Sequence, residues 1–280
     1  MDQHLGGGFV DINTVHRYRW PTRRNDLRLA PGETFLAGGS WLFSEPQPAV
    51  TGLVDLTALG WPPVETSARG LRLAATCTLA ELASLSGTGW TAEPLFRDCC
   101  RALLGSFKVW NVATVGGNLC LALPAGPMIA LAAALDGTLE IWRPDGTQYT
   151  LDAIDFIVGP SQTVLERGDL LRAVDLPARA LTGATASRKA SLRPLGRSAA
   201  FVVARRDPDR RFTVVVTAAT RHPHRFRFDD LPSRHELRAA LDTITTWYDD
   251  PHGSPDWRRA ITLHLAEQVR ADLAEEAVPR

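Results

Sequence analysis

The sequence predicts a chain that mixes helices and strands, of α+β or mixed α/β class, in about two domains. Its 280 residues can bury a sizeable core without stabilising crosslinks. Short apolar runs such as 34–37 and 71–75, each followed by turn or capping residues, indicate strands in the first part of the chain. Residues 199–204 and 212–218 predict a hairpin, and the four-residue apolar spacing over 257–273 predicts an amphipathic helix after it.

Capping patterns mark several helix starts. Thr78 and Ser233 are each followed by a glutamate three residues later, which is the pattern of a capping box. Thr91 is predicted to cap a further helix. Residues 128–135 are apolar on every side, and this is typical of a buried helix.

The middle of the chain combines a hairpin with less regular segments. The turn residues 144–146 predict a hairpin between 138–142 and 148–151. We expect a looped stretch that begins at residue 155 and runs to residue 177. The small and polar residues 181–187 are the best candidate for a domain boundary.

Charge and composition exclude several classes of function. The 31 lysines and arginines balance the 31 aspartates and glutamates without a basic stripe, so we expect no nucleic-acid partner. The longest apolar runs are too short to cross a bilayer, so we expect no membrane insertion. Residues 1–8 lack the charged start and apolar block of a secretion signal. These features together predict a cytoplasmic protein.

The four cysteines do not have the spacing of a metal site, and Cys99 and Cys100 are adjacent. We therefore predict that they are small buried thiols. Cys120 follows closely after a glycine motif, so it remains able to approach a ligand. No metal site and no catalytic acid or base is assigned.

Two segments with paired glycines carry most of the functional information: LAGGSW at 36–41 and ATVGGN at 113–118. Glycine permits positive φ and lets anionic groups approach backbone N–H groups, and successive N–H groups in such a turn form an anion site. Ser40, Thr114 and Asn118 add side-chain donors. Two such sites predict a ligand with two phosphates, such as a dinucleotide. Neither segment matches G-x-G-x-x-G or the P-loop pattern, which disfavours a conventional Rossmann site or a nucleotide triphosphatase.

Taken together, five segments in this order resemble the FAD-binding subunit of molybdenum hydroxylases, also called the medium subunit. This family includes xanthine dehydrogenase and aerobic carbon monoxide dehydrogenase. The resemblance covers nearly the whole chain, and ATVGGN is its most specific element. The segments are 36–40, 113–118, 156–159, 169–177 and 253–258.

The resemblance implies an α+β fold with an FAD-binding domain of the vanillyl-alcohol oxidase type. That domain would span residues 1–180 as two α/β subdomains divided near residue 60. A C-terminal α+β domain would follow over residues 181–280.

The resemblance also implies which residues hold FAD. Residues 35–41 would wrap the pyrophosphate, the second motif would hold the pyrophosphate and ribityl side, and Leu170 and Leu171 would line the adenine. Lys189 would be the basic residue near the flavin, with Arg188 and Arg193 as competing candidates. The full set is Phe35, Leu36, Ala37, Gly38, Gly39, Ser40, Trp41, Phe107, Thr114, Gly116, Gly117, Asn118, Leu170, Leu171 and Lys189.

The chain departs from the family pattern at three positions. Trp110 precedes Asn111 where the family commonly has an arginine. Pro127 stands where an acid usually binds a ribose, and proline cannot accept that hydrogen bond. Trp41 replaces a polar residue after the first motif, where it either stacks on the cofactor or fills the core.

The function implied by the resemblance is that of an FAD-dependent oxidoreductase subunit for electron transfer. Its partners would be a molybdopterin-binding large subunit and a small 2Fe–2S subunit. The chain would take electrons from iron–sulfur centres and pass them to NAD⁺, oxygen, a quinone or another carrier. Two alternatives stay open: a stand-alone FAD oxidase or dehydrogenase, and an assembly or binding subunit that has lost FAD.

Overall fold

The structure, a computed structural model, describes residues 12–275. Residues 1–8, for which the sequence predicts no secretion signal, lie outside this range. The strands are β1 (Arg17–Arg19), β2 (Glu33–Leu36), β3 (Gly52–Asp55), β4 (Val64–Ser67), β5 (Gly70–Ala74), β6 (Thr138–Trp142), β7 (Gln148–Asp152), β8 (Ile157–Gly159), β9 (Gln162–Thr163), β10 (Leu170–Pro177), β11 (Ala184–Ala190), β12 (Ala200–Arg206), β13 (Phe212–Thr217) and β14 (His224–Phe228). The helices are α1 (Leu79–Ser84), α2 (Glu93–Ala102), α3 (Phe107–Trp110), α4 (Val115–Leu121), α5 (Pro127–Ala134), α6 (Ala178–Leu181), α7 (Arg234–Leu241) and α8 (Pro255–Glu275).

The first sheet is parallel, with the strand order β1-β3-β2. The carboxylate of Glu33 is buried in it and accepts hydrogen bonds from Arg19 at 2.7 and 3.0 Å. These hydrogen bonds lower the pKa of Glu33 to about 2, so the charged form is strongly favoured. Val54 of this sheet, with Leu27 and Leu56 from the segments beside it, packs with Leu170 at the start of β10.

The second sheet is antiparallel, with the order β4-β5-β10-β6-β7. The predicted hairpin forms its β6–β7 edge. The prediction of a looped stretch from residue 155 to residue 177 is wrong where β8, β9 and β10 form, and β10 is the central strand of this sheet. All of its residues except Asp175 and Pro177 are buried, so the run lacks the polar alternation that identifies a half-buried strand.

The helices between β5 and β6 do not all pack on this sheet: α4 contacts β5 and β10, whereas α2 contacts β11 and α5 contacts β12 and β13. The capping box at Thr78 is confirmed, since its hydroxyl and the Glu81 carboxylate exchange hydrogen bonds with each other's backbone N–H groups. The predicted cap at Thr91 is wrong: α2 begins at Glu93 without a side-chain cap. The Glu93 carboxylate instead accepts the N–H groups of Gly87 and Thr88, which fixes the preceding turn.

The third sheet is antiparallel, with the order β11-β12-β13-β14, and α8 packs on β11 and β12. Leu265, Val269 and Leu273 of α8 are buried in this contact, as the four-residue spacing predicts. The capping box at Ser233 is also confirmed. The proposed boundary over 181–187 contains the end of α6 and the start of β11, so no extended linker lies there.

The apolar helix α5 joins the second and third sheets into one core, and every one of its residues is buried, as predicted. Just after it, beyond the C-cap Leu135, lies Asp136, which has a positive φ of 49° and a buried carboxylate. This carboxylate lies 2.8 Å from Arg205, 2.7 Å from Arg179 and 2.7 Å from Arg227. Burial would raise the pKa of Asp136, but the arginines outweigh burial and hold it well below its ordinary range.

Arg205 is itself almost completely buried, and it also bonds to Asp207 and to the Ala134 carbonyl at the end of α5. None of the helices between residues 12 and 275 is both long and apolar enough to cross a membrane.

Replacing Asp136 by asparagine should lower the free energy of unfolding by about 3 kcal/mol at neutral pH, because the buried Arg205 would lose one of its two carboxylate partners and keep only Asp207. Urea denaturation measures this value. The Asp136 contribution is present above the ordinary aspartate pKa of 3.8 and is lost as the pH falls through the lower folded-state value. Asp209→Asn, which removes an exposed ion pair with Arg211, is the matched control and should change stability little. Equal effects of the two variants would contradict the role assigned to Asp136.

Candidate functional site

The two glycine motifs meet in the structure by direct backbone contact. A Cβ atom on Gly38 would lie 1.4 Å from the carbonyl oxygen of Val112, the residue before the second motif. Any side chain at residue 38 would therefore force the two segments apart. Gly39 has a φ of +69°, which also favours glycine.

A cavity of about 620 Å³ lies where the motifs meet. Its volume is within the range of sites for small molecules and cofactors. Thirteen of the predicted FAD residues line it: Phe35, Leu36, Ala37, Gly38, Gly39, Ser40, Trp41, Thr114, Gly116, Gly117, Asn118, Leu170 and Leu171.

The first motif offers backbone donors to this cavity. It follows β2, and its residues line the cavity wall. Within residues 12–275, no hydrogen bond uses the N–H groups of residues 38–42. A run of unpaired N–H groups beside a cavity is suited to a phosphate group. This geometry supports the anion site predicted for the first motif.

The second motif does not offer backbone donors in the same way, contrary to the prediction. Its residues form the first turn of α4, with Thr114 as the N-cap. The N–H groups of Val115 and Gly116 donate to the carbonyls of Cys77 and Ala75, at 2.8 and 2.9 Å. Those of Gly117 and Asn118 donate to the hydroxyl and the carbonyl of Thr114. The backbone donors are used to attach α4 to β5 and to begin the helix.

The two glycines of the second motif have different roles. Gly116 is buried, and a Cβ there would lie 2.5 Å from the Cβ of Ala75, so glycine permits α4 to contact the end of β5. Gly117 is exposed towards the cavity, and its Cβ would meet only the Thr114 hydroxyl, at 2.9 Å. Gly116 is thus needed for packing, whereas at Gly117 the absence of a side chain leaves space in the cavity.

Asn118 connects the cavity to α5. Its Oδ1 accepts the N–H of Met128 at 3.0 Å, in the first turn of α5, while its side chain also lines the cavity. Pro127, where an acid was expected from the family pattern, is buried at the start of that helix. Ala125 and Gly126 line the cavity beside it, without a charged group.

Two predicted residues lie outside the cavity lining. Phe107 is 72% exposed at the start of α3. Lys189 is exposed on β11, opposite Phe201. Trp41 does line the cavity and is half-exposed, so it does not fill the core.

The charged residues of the lining are Asp169 and Arg197, and neither is among the site residues predicted from the sequence. Asp169 is buried and accepts hydrogen bonds from the Glu166 N–H and the Tyr149 hydroxyl, at 3.2 and 3.3 Å. Arg197 is half-buried next to Ser198, whose hydroxyl donates to the Ala102 carbonyl. The position of Arg197 depends on this long-range contact, which leaves no signal in the sequence. Lys189 was predicted as the basic residue because it lies in a segment where the family carries one.

The cysteines agree largely with the prediction. Cys77, Cys99 and Cys100 are buried, and burial raises the pKa values of Cys77 and Cys100 to about 12. Cys120 is exposed and lines the cavity.

The cavity and the unpaired N–H groups beside it are features of a site for a phosphate-containing cofactor. Residues 25–179 match the family of the FAD binding domain in molybdopterin dehydrogenase. The match covers more than half of the chain, and the chain belongs to this family. Its cofactor is therefore FAD, as the resemblance implied.

Two curated relatives are similar over part of the chain. The glyceraldehyde dehydrogenase medium chain of Sulfolobus acidocaldarius is 28% identical over 114 residues, which are 41% of this chain and 40% of the relative. Xanthine dehydrogenase of Oryza sativa subsp. japonica is 34% identical over 84 residues, 28% of this chain and 6% of the relative. The matched part spans less than half the length of either relative.

Solved structures share the fold over nearly the whole chain. Quinoline 2-oxidoreductase from Pseudomonas putida has a TM-score of 0.79 at 22% identity, covering 93% of this chain and 97% of that one. Carbon monoxide dehydrogenase from Hydrogenophaga pseudoflava has a TM-score of 0.78 at 18% identity, covering 94% and 99%. These likenesses confirm the predicted fold class.

The cavity residues fit FAD. The first motif supplies unpaired N–H groups for a pyrophosphate, and Gly117 leaves open the wall that a side chain would fill. Arg197 supplies the positive charge of the lining.

Alanine substitutions at the paired glycines should separate packing from ligand contact. Gly116→Ala should lower the free energy of unfolding by about 1–3 kcal/mol, because its methyl group would overlap Ala75. Gly117→Ala should change it little, since only the Thr114 hydroxyl must move. Urea denaturation of both variants is the measurement. A larger loss for Gly117→Ala than for Gly116→Ala would refute the assignment.

Proposed function

We propose that this chain is the FAD-carrying electron-transfer subunit of a molybdenum hydroxylase. Its partners would be a molybdopterin-binding large subunit and a small 2Fe–2S subunit. The observation that carries the proposal is the cavity where the two glycine motifs meet, with the unpaired N–H groups of the first motif beside it. Family membership and the medium-chain relative support the same role.

We assign each part of the cavity wall a role in binding FAD. The N–H groups of residues 38–42 bind the pyrophosphate, and Arg197 adds a charge-assisted contact. Leu170 and Leu171 supply apolar surface, and Trp41 is available for a ring. When bound, FAD takes up electrons and can pass them to a second acceptor.

The cavity rim supports a protein partner. Trp41 and Leu104 line the cavity and are 42% and 59% exposed, and Val112 beside Gly38 is also exposed. Exposed apolar side chains grouped around a site often mark an interface. We propose that a partner subunit covers this rim and brings its electron donor close to the cofactor.

The domain division is part of the same proposal. The parallel sheet ends at Asp55 and the second sheet begins at Val64, which supports a division of the FAD-binding domain near residue 60. The third sheet begins at Ala184, which supports a C-terminal domain over residues 181–280. The cytoplasmic location stays a prediction from the sequence.

Purification of the tagged full chain from its native cell tests the proposal. We expect co-purifying subunits that contain molybdenum and iron, and a flavin absorbance that acid precipitation releases into the supernatant. A flavoprotein that oxidises a substrate without metal-containing partners would favour a stand-alone oxidase or dehydrogenase. A colourless chain that takes up no added FAD would favour an assembly subunit.

Gly117→Val should abolish FAD retention, because its branched side chain would occupy the cavity at the open wall. The flavin absorbance of the purified variant measures retention, and circular dichroism checks the fold. Gly117→Ala serves as the graded control and should retain part of the FAD. Full retention in the valine variant would remove the second motif from the proposed site.

Arg197→Ala should weaken FAD binding by about ten- to a hundredfold, which corresponds to the loss of one charge-assisted hydrogen bond. Titration of the apoprotein followed by flavin fluorescence gives the dissociation constant. Arg193→Ala, in the same loop but outside the lining, is the matched control and should bind FAD normally. If both variants bind FAD equally well, Arg197 is not part of the site.

A further inference from the structure

A second cavity, of about 400 Å³, lies next to the FAD cavity. Its walls are the short helical turn Arg24–Asp26 with the residues after it, the tip of the β6–β7 hairpin and the residues before β10. Phe35 and Leu170 line both cavities, so these two side chains form part of the wall between them. We call this second space the arginine cavity.

The arginine cavity carries excess positive charge. Arg24, Arg28 and Arg143 line it, together with one acidic residue, Asp145. Asp145 Oδ1 already accepts the N–H and the hydroxyl of Thr147, at 2.8 and 2.6 Å. Among residues 12–275, no carboxylate forms an ion pair with any of the three arginines, whereas the buried Arg205 and Arg258 are both paired.

Two of these guanidinium groups are held in position by the hairpin. Arg24 donates to Gln148 Oε1 at 3.0 Å and to the Thr147 carbonyl at 2.6 Å, and it lies 4.4 Å above the Trp142 ring. Arg143 lies 4.6 Å above the Tyr149 ring. Because Arg24 and Arg143 already make these contacts, an anion would bind to them with a smaller loss of side-chain entropy.

The lining indicates the chemical class of the ligand. Guanidinium groups match the oxygens of phosphate in bidentate geometry, and three of them favour a multiply charged anion. The cavity is larger than one phosphate group needs, and Leu27, Phe35 and Leu170 give part of its wall an apolar character. An anion with an organic portion uses both parts of this lining.

We propose that the arginine cavity binds a small phosphate monoester, at a site separate from the FAD cavity. The phosphate contacts Arg28 and Arg143 beside the fixed Arg24, and the organic part lies against Phe35 and Leu170. The proposal does not depend on the electron-transfer role of the chain.

Calorimetric titration of the FAD-loaded full chain with phenyl phosphate, at constant ionic strength, tests the proposal. We expect saturable binding that is tighter than that of inorganic phosphate, and no binding of phenol. Loading with FAD beforehand prevents the probe from entering the FAD cavity. Absence of saturable phenyl phosphate binding, or equal affinity for inorganic phosphate, would overturn the proposal.

Arg143→Ala should weaken phenyl phosphate binding about tenfold or more, as expected for one lost charge-assisted contact. Arg143 is exposed at the hairpin end, so the variant should fold, and its flavin absorbance checks this. Arg101→Ala, an exposed arginine on α2 outside the cavity, is the matched control and should bind normally. Equal affinities of the two variants would show that the probe binds elsewhere. A colourless chain would count against the FAD proposal alone. The comparison of Arg143→Ala with Arg101→Ala would then still test the arginine cavity, because Arg143 lines this cavity and not the larger one.

Discussion

The buried ion pair between Asp136 and Arg205 is the constraint on which the arrangement of the chain depends. It fixes the end of α5, an entirely apolar helix, between the second and third sheets. The other end of α5 is held by Asn118, which also lines the cavity proposed to bind FAD. Helix α5 therefore fixes the third sheet relative to this cavity, because the Asp136–Arg205 pair holds one end of the helix and the Asn118 amide holds the other.

The ion pair is costly to bury, and the structure offsets that cost by surrounding it with further partners. Asp207 and the Ala134 carbonyl bind Arg205, while Arg179 and Arg227 bind Asp136 from the more exposed side. A buried charge with all of its hydrogen bonds satisfied permits one arrangement of the elements around it. The fold thus gains a defined sheet-to-sheet geometry at this point.

Short sequence patterns predict the parts of the structure that depend on interactions between residues close together in the chain. Short segments were enough to predict the capping boxes at Thr78 and Ser233 and the buried helix α5. They were also enough to predict that both glycine motifs lie at a site, since both line the cavity. The central strand β10 did not, because burial on both faces removes its alternation. Arg197 did not either, since it reaches the cavity through a loop whose position depends on distant contacts.

The contact between Gly38 and Val112 has a consequence for how the flavoprotein is made. The cavity needs the first motif, the second motif and Leu170, and the sheet behind it stays incomplete until β10 has been synthesised. A ribosome adds about 5–20 residues per second, so the early strands wait for several seconds before their partners emerge. Because Arg197 and Ser198 also line the cavity, the complete site forms only after residue 198 has been translated, and a chain cut short before β10 lacks both Leu170 and these residues.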